Sequence, residues 1–187
     1  MKANKFPLQG WESNKVIEFL KELKGNDVNW LKGRSFGAVY YPGDEYAKTI
    51  EFAYQLYIHE NALDPQLFKS AVELEKDIVR KVSSLFSIEK TISGTLTSGG
   101  TESIFLAVYS AKMHAKSMGK SNFEIIIPES AHPAFLKACN YLSVNAIEVK
   151  LNNEFNLEVK DVESKITSNT ILLVGSSPAY PYGLMDP

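Results

Sequence analysis

The stretch best suited to chemistry is the segment 94–108, which contains a pair of glycines at Gly99 and Gly100. The pattern predicts a glycine turn that opens a helix, because the apolar residues that follow recur at helical spacing. Glycine tolerates positive φ and lets another group approach the backbone closely. The unpaired N–H groups and the positive dipole end of such a helix bind phosphate. The local pattern leaves a second interpretation open, in which the glycines only reverse the chain.

The sequence around this turn excludes two common nucleotide sites. It contains neither the G-x-G-x-x-G signature of dinucleotide-binding folds nor the G-x-x-x-x-G-K-[ST] signature of P-loops. We expect Thr101 or Ser98 to cap the helix. Glu102 falls in the first turn, where a negative charge interacts favourably with the helix dipole. The turn is therefore a candidate phosphate site of another kind.

An alternation of helix and strand patterns follows the turn. The predicted elements are a helix over 101–118, a strand over 123–127, a helix over 133–142, a strand over 146–151, a helix over 159–166 capped near Asn156, and a strand over 171–175. The isoleucine run in the first strand indicates burial on both faces. The pattern therefore predicts an α/β fold with a parallel sheet. Because ligands collect at the carboxyl ends of such strands, we expect His132, Ser176 and Ser177 to converge with the glycine turn.

The first half of the chain predicts helices and one aromatic loop. We expect a helix that Ser13 caps, a helix over 45–57, and the longest helix over 68–86. The charged residues of that longest helix, Glu75 among them, are expected to face solvent. The glycine-rich loop 30–41 is either a packed connector or the wall of a site. Asn61 is either a helix C-cap or a pocket residue.

The composition places limits on function. The 187 residues are 44% hydrophobic and 22% charged, as in an ordinary globular protein. The net charge of −2 argues against a nucleic-acid partner. The single cysteine, Cys139, excludes an internal disulfide framework and is expected to be a buried apolar residue on a helix. Because no apolar run approaches the ~20 residues that span a bilayer, and the first ten residues lack the apolar core of a signal peptide, we expect no transmembrane segment and a cytoplasmic location.

The sequence resembles a known enzyme family along nearly its whole length. The segment 97–103, TSGGTES, resembles the cofactor-phosphate loop of the pyridoxal-phosphate enzymes of the group II decarboxylase family. Within that family the chain is most similar to the sphingosine-1-phosphate lyases. The other matching segments occur in the family's order: GR at 33–34, GAVY at 37–40, NALDP at 61–65 with Phe68, SAHPAF at 130–135, SSP at 176–178, and PYGLMDP at 181–187. Several separated motifs in the right order are more specific than any one of them.

The resemblance implies a fold, a cofactor and roles for particular residues. The fold is the fold-type I, aspartate aminotransferase-like α/β fold, and the cofactor is pyridoxal 5'-phosphate. The implied cofactor-binding residues are Gly99, Gly100 and Thr101 for the phosphate, His132 for stacking on the ring, and Ser176 or Ser177 for the ring oxygen or the phosphate. From position alone, His132 is equally a helix-start histidine that is bonded locally. The resemblance places Tyr40 and Asn61 at the substrate pocket, with Tyr40 reaching the site of a partner subunit.

The resemblance also implies that two parts of the site are missing. In the family, the Schiff-base lysine and the aspartate that pairs with the pyridine nitrogen follow the PYGLMDP segment. Asp186 and Pro187 look like the N-cap and first residue of a further helix. We therefore expect an incomplete fold, with a helical segment and entrance loop over 1–90 and the first part of the cofactor-binding large domain over 91–187. No catalytic lysine and no metal site are expected in the chain, which should be inactive alone.

The implied activity is that of a carbon–carbon lyase, which converts a phosphorylated sphingoid base to a fatty aldehyde and phosphoethanolamine. The complete enzyme would be a homodimer, or a second chain would carry the missing half. An amino-acid decarboxylase is the alternative, since Asp64 and Tyr182 stand where the lyases often have His. A phosphate- or nucleotide-binding module without catalysis, or the product of a truncated, split or degenerate gene, also remains open.

Overall fold

The computed structural model describes residues 6, 8–61, 63–86, 92–180 and 182–187. These residues form two compact units, Met1–Asp64 and Pro65–Pro187. The domain division predicted between residues 90 and 91 stays a prediction. In the part of the chain that the structure describes, each helix is too short or too polar to span a lipid bilayer.

The first unit contains two α-helices and a short 3₁₀ helix. They are α1 (Ser13–Gly25), the 3₁₀ helix Trp30–Lys32, and α2 (Asp44–Tyr57). The predicted cap of the first helix is wrong, since α1 begins at Ser13 itself and its N-cap residue, Glu12, makes no side-chain capping bond. Gly33 closes the 3₁₀ helix at φ 68°, a left-handed conformation that favours glycine. None of the described residues of this unit is buried.

The second unit contains the remaining helices and all the described strands. They are α3 (Lys69–Ser84), α4 (Gly100–Ser117), β1 (Glu124–Pro128), α5 (Ala134–Leu142), β2 (Asn145–Val149), α6 (Val159–Lys165) and β3 (Thr170–Leu173). The helix predicted to be longest is not the longest one described, because α3 has 16 residues and α4 has 18. The other predicted elements are confirmed to within a few residues. The cap predicted near Asn156 is wrong, since Glu158 is the N-cap residue of α6 and its side chain makes no capping bond to the helix.

The three strands form a parallel sheet in the order β2-β1-β3. Ile125 is opposite Ala146 of β2 and Leu172 of β3. The predicted α/β fold with a parallel sheet is therefore confirmed. The second strand is shorter than predicted, because Leu151 pairs in an isolated antiparallel bridge with Leu157 instead of continuing β2.

The buried core is centred on β1 and explains why the isoleucine run is needed. Ile125 and Ile127 pack in one cluster with Val108 of α4 and with Ala138 and Cys139 of α5. Alternate side chains of a strand point to opposite faces, so Ile126 faces the other way. There it lines a cavity of about 380 Å³ together with residues of α6. Helices therefore cover both faces of the sheet, and the prediction that Cys139 is a buried apolar residue is confirmed.

Candidate functional site

The glycine turn leads directly into α4. Gly99 is the N-cap residue at φ 163° and ψ 176°, an extended conformation that any residue can adopt. Gly100 is the first helical residue, and neither glycine adopts the left-handed conformation that the sequence suggested. A Cβ atom added at either position would have no described atom within 4 Å. The glycines therefore keep open space beside the backbone and are not required for the chain's own conformation.

The start of α4 is not capped as the sequence predicted. The N-cap residue makes no side-chain capping bond, so neither Ser98 nor Thr101 caps the helix. The Glu102 carboxylate instead reaches back and accepts hydrogen bonds from the Ser98 amide and hydroxyl, both at 2.7 Å. The hydroxyl bond, followed by the amide bond, holds the pKa of Glu102 below its usual value. The first N–H groups of a helix have no acceptor within the helix, so those of Gly100 and Thr101 remain available to a ligand.

A pair of hydroxyl groups stabilises the turn from within. The Thr97 hydroxyl donates to the Gly99 carbonyl oxygen at 3.0 Å and lies 2.6 Å from the Ser103 hydroxyl oxygen. The Ser103 amide also donates to the Gly99 carbonyl oxygen, at 3.1 Å. These bonds join the residues before the turn to the first turn of α4, so the space beside the glycines has a defined shape.

A residue of α3 that the sequence placed in solvent anchors the segment leading to the turn. The Glu75 carboxylate accepts hydrogen bonds from the Thr95 hydroxyl and the Leu96 amide, both at 2.7 Å. These two bonds lower the pKa of Glu75. Glu75 keeps its contact with solvent, as expected, but its two hydrogen bonds to the segment before the turn were not predicted. Its partners lie 20 and 21 residues away along the chain, and helical spacing carries no signal for such a contact.

His132 lies in the loop between β1 and α5, beyond the carboxyl end of the central strand. Its Nδ1 accepts a hydrogen bond from the Ala134 amide at 3.1 Å. This is the local hydrogen bond expected of a histidine at a helix start, one of the two interpretations of His132. In the neutral imidazole this bond assigns the proton to Nε2. The bond also fixes the orientation of the ring. A fixed flat ring beyond a strand end can serve as a stacking partner, and that role stays a prediction.

Ser176 and Ser177 follow β3, the neighbour of β1. The Ser176 amide donates to the Asp186 carboxylate at 2.6 Å, and the Asp186 amide donates to the Ser176 carbonyl oxygen at 3.0 Å. The carboxylate that we expected to cap a further helix thus serves to hold the segment after β3. Because β1 and β3 are parallel, both serines lie beyond the same edge of the sheet as His132.

The start of α4 lies beside α5, the helix that follows the loop of His132. Thr101 and Glu102 of α4 line a cavity of about 460 Å³ together with Ala134 and Ala138 of α5. Ala134 is the residue whose amide binds His132. The structure therefore brings the start of α4 and the start of α5, the helix that follows His132, to one cavity, and the convergence of the glycine turn with Ser176 and Ser177 stays a prediction. Among the described residues, no group of three or more His, Cys, Asp or Glu side chains is arranged to hold a metal ion.

The two residues expected at the substrate pocket belong to the first unit. Tyr40 is 91% exposed. The Asn61 side chain accepts a hydrogen bond from the Leu63 amide at 2.9 Å. The alternative in which Asn61 caps α2 is wrong, because that helix ends at Tyr57 and its C-cap residue is Ile58. The substrate roles of Tyr40 and Asn61 stay predictions.

The residues at the start of α4 fit a cofactor that carries a phosphate. Such a group needs room, N–H donors and hydroxyl groups. The two glycines supply the room and the start of α4 supplies the donors. The Glu102 carboxylate is turned back toward Ser98, whose amide and hydroxyl group it binds. The site is therefore suited to a phosphate placed against the first turn of α4.

Known proteins resemble this chain along nearly its whole length. A sphingosine-1-phosphate lyase of Oryza sativa is 41% identical over 184 residues, which cover 94% of this chain and 34% of the relative. A probable L-aspartate decarboxylase of Pyrococcus furiosus is 33% identical and is matched over 97% of this chain and 47% of its own length. The structure of a sphingosine-1-phosphate lyase from Burkholderia pseudomallei superimposes with a TM-score of 0.91 at 30% identity, over 99% of this chain and 45% of the other. The chain thus spans about a third of the length of the plant lyase and under half of the bacterial one.

The parallel sheet and its flanking helices have the architecture of fold-type I pyridoxal-phosphate enzymes. The family model of the class-V aminotransferases matches residues 47–178, and the chain belongs to that family. Proteins of this family depend on pyridoxal phosphate. The predicted fold class, including its likeness to the lyases, is therefore confirmed.

Proposed function

We propose that the chain forms the cofactor-binding part of a pyridoxal-phosphate-dependent carbon–carbon lyase that acts on phosphorylated sphingoid bases. The observation that supports this most is the extent of the likeness. A lyase structure that is 30% identical superimposes over 99% of the chain with a TM-score of 0.91. A lyase sequence that is 41% identical matches 94% of the chain. The structural match covers nearly every residue and so includes the glycine turn and the loops after the strands.

The phosphate of the cofactor is proposed to bind at the start of α4. The amides of Gly99, Gly100 and Thr101 donate to its oxygens, and the Thr101 hydroxyl adds a further donor. Open space at both glycines lets the phosphate reach the backbone. The positive end of the helix dipole adds to the binding. This set of donors requires no lysine or arginine.

The ring of the cofactor is proposed to lie beside His132, with Ser176 or Ser177 bonded to the ring oxygen or the phosphate. The bond from the Ala134 amide holds the His132 ring in one orientation. When bound, pyridoxal phosphate supplies an electron sink for the substrate carbon whose bond breaks. Tyr40 and Asn61 are proposed to contact the substrate.

We propose that residues 1–187 hold the cofactor without a covalent bond to lysine. Several described lysines already bind other groups. Lys112 donates to the Leu142 carbonyl oxygen, Lys120 donates to those of Ser168 and Thr170, and Lys150 pairs with Glu129. None of these lysines belongs to the segments that resemble the family. The complete enzyme is proposed to be a cytoplasmic homodimer, in which Tyr40 reaches the site of the partner subunit. The one cysteine, which is buried and unpaired, is consistent with a reducing compartment.

An amino-acid decarboxylase is the second candidate. The relative from Pyrococcus furiosus named as a probable L-aspartate decarboxylase is 33% identical and covers 97% of this chain. Asp64 and Tyr182 stand where the resemblance expects His in many lyases. A carboxylate and a phenol cannot supply an imidazole proton donor, so these positions favour the decarboxylase.

The cofactor proposal is tested by calorimetry of the purified protein with pyridoxal 5'-phosphate and, separately, with ATP. We expect binding of pyridoxal phosphate and none of ATP. Equal binding of both would indicate a general phosphate-binding module and overturn the proposal. Borohydride treatment of the loaded protein, followed by peptide mass analysis, is expected to label no single lysine. A stable adduct on one particular lysine would contradict noncovalent binding.

The choice between substrates is tested with the protein already loaded with pyridoxal phosphate. Titration with dihydrosphingosine 1-phosphate is expected to raise the Tm, since a ligand that binds only the folded state stabilises it. L-Aspartate at the same concentration is expected to leave the Tm unchanged. The reverse result would favour the decarboxylase.

A further inference from the structure

Ser130 has a buried hydroxyl group that the proposed site has not used. Its Oγ is inaccessible to solvent and has no hydrogen-bond partner among the described residues. The residue follows the carboxyl end of β1 and precedes His132 by two positions. Buried hydroxyl groups are nearly always paired, so this exception needs an explanation.

The backbone around Ser130 is fixed on both sides. The Ala131 amide donates to the Pro128 carbonyl oxygen at 2.9 Å, which closes a tight turn with Ser130 inside it. The Glu129 carboxylate accepts a hydrogen bond from the Leu151 amide at 2.8 Å and so joins this turn to the segment after β2. Because the turn is held in place, rotation about the side chain is the only local freedom left to the Ser130 hydroxyl.

Three hydroxyl groups around the start of α4 have partners within the protein. The Ser98 hydroxyl donates to Glu102, and the hydroxyls of Thr97 and Ser103 bind each other. Ser130 differs from them although it is less accessible. An unpaired buried donor at a sheet edge where ligands bind is best explained by a partner that belongs to the ligand.

We propose that the Ser130 hydroxyl donates a hydrogen bond to the oxygen on the pyridine ring of bound pyridoxal phosphate. This inference rests on the proposed cofactor site. The ring oxygen is chosen over the phosphate because Ser130 shares its loop with His132, whereas the phosphate donors belong to α4. The Ser130 hydroxyl and the His132 ring then orient the same end of the cofactor.

The test compares Ser130→Ala with a matched control, Ser83→Ala. The Ser83 hydroxyl is also partly buried, but it donates to the Val79 carbonyl oxygen within α3. We expect Ser130→Ala to raise the Kd for pyridoxal phosphate about five- to ten-fold, the usual effect of one lost hydrogen bond. The Kd for inorganic phosphate should not change. Ser83→Ala should leave both Kd values unchanged.

The stability of the cofactor-free protein gives a second readout, independent of binding. Removal of an unpaired buried hydroxyl relieves a desolvation penalty, so the Tm of the cofactor-free Ser130→Ala variant should equal or exceed that of the wild type. A clear fall in this Tm would mean that the hydroxyl serves another group of the protein, and would overturn the proposal.

The remaining outcomes separate this inference from the proposed function. If the wild type binds pyridoxal phosphate and Ser130→Ala binds it equally well, only the role of Ser130 is overturned. An equal loss of affinity for inorganic phosphate would place the hydroxyl at the phosphate and contradict the ring contact. A wild-type protein that binds no pyridoxal phosphate overturns both proposals.

Discussion

The two compact units use apolar residues in opposite ways. In the second unit, Ile125 is 0% exposed at the centre of the sheet. In the first unit, Leu20 of α1 is 56% exposed although it belongs to the apolar face of an amphipathic helix. Both residues fit the periodicity of their elements. Periodicity thus predicts which face of an element is apolar, but it does not predict what covers that face.

The difference follows from where the packing partners lie in the sequence. β1 is covered by α4 and α5, which precede and follow it directly, so the core of the second unit forms from neighbouring segments. No described residue of the first unit is buried, so its helices gain little from burial of apolar area. We therefore expect most of the folding free energy of the chain to come from the second unit.

Truncation of one large apolar residue in each unit gives the largest contrast. Ile125→Ala should lower the free energy of unfolding by about 2–5 kcal/mol, because it removes buried methyl groups and leaves a cavity. Leu20→Ala should lower it by less than about 0.5 kcal/mol, the usual range for exposed positions. Urea unfolding followed by circular dichroism measures both. If both variants lose the same free energy of unfolding, α1 is covered as fully as β1, and the two units do not differ in burial.

Hydrogen exchange resolves the same contrast along the backbone. Amides of β1 should exchange only on global opening, and those of α1 should exchange through local opening, at least about a hundredfold faster. Mass spectrometry of peptides from the two segments provides the rates. Strong protection of α1 would show that the first unit folds cooperatively with the second.

A smaller effect is expected from pH at the start of α4. The pKa of Glu102 is lowered, chiefly by the Ser98 hydroxyl, so the Ser98–Glu102 contact stabilises the folded state at pH values above the unfolded pKa, near 4.5. That stabilisation is lost as the pH falls through the lowered folded pKa. The Ser98 amide resonance in NMR spectra should therefore shift in this acidic range. The Glu102→Gln variant is the control and should show no such shift.

Much of the second unit could be predicted from the sequence. The run Ile125–Ile127 predicted a strand that is buried on both faces. The glycine pair at Gly99 and Gly100 predicted the start of α4. These signals are local, since strand burial and helix starts depend on residues within a few positions. The family motifs are also short local segments, and their fixed order along the chain indicated the fold class.

The finer contacts of the site could not be predicted. Glu75 binds Thr95 across 20 residues, and such a pair depends on how α3 packs against the following segment. Glu102 binds Ser98 and displaces the expected hydroxyl cap, which depends on the extended conformation of Gly99. Asn61 lies beyond the end of α2 because that helix stops at Tyr57. In each case the sequence allows several hydrogen-bond partners equally, and only the packing of the folded chain selects one of them.

We propose that the open backbone at Gly99 and Gly100 receives the phosphate of the cofactor, and substitution of both glycines by alanine tests this role. Added Cβ atoms meet no described atom within 4 Å. Alanine favours the helix at Gly100 but is a poorer N-cap residue than glycine at Gly99, and because these two effects are of similar size and opposite sign, the cofactor-free Tm should change little. The Kd for pyridoxal phosphate should rise more than about ten-fold, because the methyl groups occupy the space that the phosphate needs. Gly25→Ala, at another open glycine, is the control and should bind as the wild type does. An unchanged Kd in the stable double variant would contradict the claim.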